Sequence, residues 1–148
     1  MSARRLPHRF GLHLWVGAGA VLGGLARLFV SRLFAAGLGL PEEAGTLVAN
    51  LTGSFAIGLW AALTGPEGRL LVGTRQRQLV TTGICGGYTT FSLLSLETTT
   101  FLRDGAPATA VAYAAASFLG AMLAVWAGYG LGERLNRPRR RRRAPGRT

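Results

Sequence analysis

Four apolar stretches, each about as long as a bilayer crossing, leave this chain little choice of architecture. A crossing needs about 20 mostly apolar residues, and residues 11–36, 45–64, 79–102 and 106–131 each supply one. The second carries no charge. Turn formers and most of the acids fall between them: Pro41, Glu42 and Glu43; Gly65, Pro66, Glu67 and Gly68; Asp104, Gly105 and Pro107. Loops this short make successive helices antiparallel neighbours. The expected fold is an all-α membrane protein of one domain. It has an N-terminus at 1–10, a four-helix domain at 11–132, and a disordered arginine-rich tail at 133–148.

Charge orients these helices. The net charge is +11, built from arginine with no lysine. With four spans, both termini share a side with the loop between spans two and three. That side holds fourteen arginines and the other only Arg32 and Arg103, which puts the termini in the cytoplasm. Eight of the fourteen lie after Leu131, so the bias without the tail is six to two. Arg4, Arg5 and Arg9 followed by Ala18, Gly19 and Ala20 resemble a signal peptide. The apolar run continues to Ala26, however, so a retained span is the expectation.

Small residues repeat at helical spacing: Gly19 and Gly23; Gly45, Ala49 and Gly53; Ala108, Ala112, Ala116, Gly120, Ala124, Gly128 and Gly132. Such stripes let helices approach in lipid, either within one chain or across a dimer seam. Four short helices enclose little interior, which favours a dimer.

The third span contains a break. Residues 83–97 read GICGGYTTFSLLSLE, and six of the seven from Gly86 to Ser92 are Gly, Thr, Ser or Tyr. Irregular backbone at membrane depth survives only where protein or a polar cavity solvates it. Carbonyls freed there can coordinate a hard cation. Beyond the break, Ser92, Ser95 and Thr99 put hydroxyls in a row on one helical face. Asn50 with Ser54, and Tyr113 with Ser117, add polar pairs at i and i+4. Hydroxyls, an amide and aromatic ring edges together suit a small anion, although a lone membrane hydroxyl commonly bonds its own i−4 carbonyl. Arg27 is a charge inside the first span and needs a partner or a route to the surface; Glu97, the only acid within a span, needs water or an arginine. The single Cys85 forms no intrachain disulfide and reads as packing.

The chain resembles the Fluc (CrcB) family of fluoride channels. The likeness rests on GGLAR at 23–27, GTLVANLTGSFAIG at 45–58 and the third-span motif, in this order. The resemblance implies an antiparallel dimer, of the chain with itself or with a paired homologue, in a prokaryotic inner membrane. It implies passive fluoride export that reduces toxicity. It also implies a structural, untransported sodium ion at the dimer centre, held by the Gly86 and Thr89 carbonyls. The pore residues would be Asn50, Phe91 and Ser117, with Ser92 and Ser95 in a polar track and Arg27 as the structural arginine of the first helix. The family often has a second phenylalanine where this chain has Leu94, which removes one ring edge.

No nucleotide motif, acid pair or metal-ligand cluster marks an enzyme. The alternative from another class is a small proton-coupled multidrug transporter. That would need an acid in the first span, where only Arg27 is charged. The tail RPRRRRRAPGR reads as a topology anchor or as a binder of anionic lipid or nucleic acid; nucleic acid is not the expected partner.

Overall fold

In the computed structural model, the backbone of residues 6–143 is described, with side chains from 11 to 137. The expectations for the N-terminal arginines before residue 10 and for the side chains after Arg137 lie outside that range. Four rods are long and apolar enough to cross a bilayer: Gly11–Gly37, Glu42–Thr64, Thr74–Arg103 and Pro107–Arg137. Helix α1 (Leu6–Arg32) ends in a π-helical stretch, Leu33–Gly37. Helix α2 (Glu42–Thr64) opens with two glutamates facing the positive end of its dipole. The third rod is composite: α3 (Thr74–Gln78), a π-helical stretch (Leu79–Cys85), the short α4 (Gly86–Tyr88) and α5 (Phe91–Arg103). Gly105, at φ +73°, turns the chain into α6. Pro107 begins that helix, where its missing N–H costs nothing.

Helix α6 (Pro107–Arg143) runs well past residue 133. The segment expected to be a disordered tail therefore begins as helix, and Asn136 is the reason. It is buried, donates from Nδ2 to the Ala62 carbonyl (2.9 Å) and accepts the Arg69 N–H at Oδ1 (3.1 Å). One amide thus ties the end of α6 to the α2–α3 loop.

The interior is made of small residues. Ala49, Ala62, Cys85 and Ala110 are the buried apolar side chains among those described, whereas Phe29 and Trp126 are 69% and 78% exposed. This inverts the pattern of a water-soluble core and fits helices whose large side chains meet lipid. The glycine stripes pack within the chain. A Cβ on Gly58 would strike the Val125 carbonyl, and one on Gly128 the Phe55 carbonyl. Gly19 and Gly23 bring α1 onto the backbone of Leu79, Gly83 and Ile84.

Candidate functional site

The break falls on the threonines, not on the glycines. Gly86 is right-handed helical (φ −66°, ψ −33°), and Gly87 is helical too, its lack of a side chain serving close contact with the Ala20 backbone. The chain opens at Thr89 (ψ 156°) and Thr90 (φ −149°, ψ 128°), extended conformations that β-branched residues favour.

Opening a helix strands polar backbone groups, and three side chains take them up. Asn50 Oδ1 accepts the Thr90 N–H (2.7 Å), and its Nδ2 donates to the Thr90 carbonyl (3.0 Å). Arg27 Nε donates to the Gly87 carbonyl (3.4 Å), which the break deprives of its helical donor. Arg27 therefore holds a helix end. The Thr90 hydroxyl accepts the Leu93 N–H (3.3 Å) and caps α5. Besides Gly87, the Gly86 and Thr89 carbonyls lose their usual partners. The Thr90 N–H that would bond Gly86 goes to Asn50, and the Leu93 N–H that would bond Thr89 goes to Thr90.

Beside the break is a cavity of about 320 Å³ lined by Asn50, Gly86, Thr89, Phe91, Leu94 and Ser117, and no charged side chain reaches it. Asn50 and Ser117 are buried, whereas Phe91 is 78% exposed at the rim. Ser117 Oγ is buried with no partner at full hydrogen-bond geometry; the Tyr113 hydroxyl, one turn earlier, donates to Glu97 and lies near enough to interact weakly with Ser117. An orphaned buried hydroxyl costs roughly 1–3 kcal/mol, so a group entering the cavity would find a donor waiting. Nδ2 of Asn50 has a second N–H beyond the one spent on Thr90.

Ser92 and Ser95 are outside this lining. Ser95 donates to the Phe91 carbonyl (2.9 Å) and Thr99 to the Ser95 carbonyl (2.8 Å). Their protons are committed to the backbone, so those two hydroxyls present lone pairs outward and must rotate before they can serve an anion. Ser92 pairs with the Thr90 hydroxyl (3.1 Å) and stays beside the break.

Glu97 is held by hydroxyls rather than by an arginine: Thr46 (2.7 Å) and Tyr113 both donate to it. Sequence reasoning missed Thr46. The signal was there, since Thr46, Asn50 and Gly53 follow at i, i+4 and i+7 on one buried face of α2.

A model of the CrcB-like protein family (Camphor Resistance, CrcB) matches residues 14–129. A Rhodopseudomonas palustris (strain BisB18) protein named fluoride-specific ion channel FluC 1 is 47% identical over 137 residues, which is 93% of this chain and 97% of its own. A protein of the same name from Bradyrhizobium diazoefficiens is 46% identical over 129 residues, covering 87% and 89%. One named fluoride-specific ion channel FluC from Opitutus terrae is 45% identical over 118 residues, covering 80% and 89%. These matches run from the first rod through the last, across both sides of the break, and the chain belongs to the CrcB-like family.

Proposed function

We propose that this chain is a fluoride-selective channel that lets fluoride leave the cytoplasm passively and so limits its toxicity. The observation that carries the reading is the unpartnered Ser117 hydroxyl, buried in an uncharged cavity beside the Asn50 amide and the Phe91 ring. Neutral donors and a positive ring edge can replace the water around a small anion without binding it too tightly to release. The names of the relatives support the choice of fluoride and of a channel over a proton-coupled transporter.

Phe91 and the hydroxyl face of α5 are exposed in the single chain. A second copy, or a paired homologue, in antiparallel orientation would cover them and complete the path at the middle of the membrane. The two carbonyls deprived of donors, Gly86 and Thr89, fit a hard cation such as sodium, which prefers oxygen ligands of this kind. Bound there, the ion would supply fixed positive charge that satisfies the oxygen ends of both carbonyl dipoles and would pin the break. The membrane would be the inner membrane of a prokaryote.

The test is efflux from liposomes holding the purified protein. Fluoride should leave through a fluoride-loaded vesicle's channels while chloride stays behind. Chloride efflux at a similar rate would refute the proposal.

A further inference from the structure

The outward face of α6 changes character in its last turns. A groove of about 430 Å³ is lined there by Trp126, Ala127, Gly130, Arg134 and Arg137. Glu133 also borders it and is engaged within the chain. Trp126, Gly130, Arg134 and Arg137 fall within about 80° of one another around the helix. Ser117, nine residues before Trp126, points the opposite way, as do Gly128 and Gly132, which meet α2. The groove therefore lies on the side away from both the cavity and the helix seam. A Cβ on Gly130 would touch nothing, Trp126 is 78% exposed, and both arginines are exposed.

We propose that this groove docks one anionic phospholipid from the leaflet that receives the C-terminal end of α6. Charge complementarity in a fixed order along the helix selects this occupant. Trp126, Ala127 and Gly130 give an apolar bed for an acyl chain at the end of the span. Tryptophan at that level sits well in the headgroup boundary. Arg134 and Arg137 follow one and two turns later, where two guanidinium forks can hold a phosphate. The proposal needs only that the chain spans a membrane, so it stands or falls apart from the choice of transported ion.

Native mass spectrometry of the full-length protein, extracted from vesicles of mixed phosphatidylglycerol and phosphatidylcholine, tests it. The wild type should retain phosphatidylglycerol selectively. Replacing both arginines (Arg134→Gln with Arg137→Gln) should weaken that retention roughly thirty-fold. Gly130→Leu should weaken it too, by filling the bed while leaving both arginines. Removing residues 139–148 should leave the preference standing. Thermal melts matching the wild type identify folded variants. Equal retention of the two lipids by the wild type overturns the proposal. So does retention unchanged in both groove variants, or retention lost on truncation alone.

Discussion

The α2–α6 seam and the third rod draw on the same small residues, yet one is closed and the other is opened. At the seam, Gly58 and Gly128 bring two backbones into contact, and each would collide with a carbonyl if it carried a side chain. In the third rod, Gly83 and Gly87 do the same against α1. The opening comes two residues later, at Thr89 and Thr90, and it is held by Asn50 from α2. Glycine supplies closeness in both places. What separates a dry seam from a polar site is whether a neighbouring helix offers an amide to the backbone that leaves the helix.

This contrast predicts a graded set of effects. The largest belongs to the seam. Gly58→Val should destabilise the folded protein by about 3 kcal/mol, because neither backbone can yield; Gly130→Val, two residues from Gly128 but facing open space, should change the melting temperature little. Thermal denaturation in detergent compares them, and equal losses would break the distinction between the two glycine settings.

Next is Asn50→Ala, which leaves the half-buried N–H and C=O of Thr90 without partners. At roughly 1–3 kcal/mol, fluoride efflux should fall about ten- to hundred-fold. Ser117→Ala should cut efflux about ten-fold, yet leave stability unchanged or slightly raised, because it removes an orphaned hydroxyl. A melt that drops along with the flux would make Ser117 a packing residue. The smallest effect belongs to Ser95→Ala, expected to change efflux less than about two-fold, since its proton already serves the Phe91 carbonyl. A larger loss would mean that this hydroxyl rotates toward the ion.

Much of the fold was legible because lipid imposes length. The first rod ends within one residue of its expected bound, and the others extend further at their polar ends. Those extensions were hidden because α3 and the end of α6 are held by contacts rather than by hydropathy. Asn136, buried among arginines in the sequence, is the clearest case. The site was legible as a cluster: Asn50, Phe91, Leu94 and Ser117 all line one cavity. Its internal division of labour was not. Glycine spacing looks the same whether it breaks a helix or seats one against a neighbour, and only the position of Ala20 tells the two apart. Likewise, the periodicity of Ser92, Ser95 and Thr99 places hydroxyls on a face without saying where their protons go.

The most direct test pairs the wild type with Asn50→Ala in fluoride-loaded liposomes, with the electrode reading fluoride and then chloride. The account predicts rapid fluoride efflux from the wild type, no matching chloride efflux, and a large loss of fluoride flux in folded Asn50→Ala. Wild-type fluoride flux in that variant, or chloride passing as readily as fluoride, would contradict it.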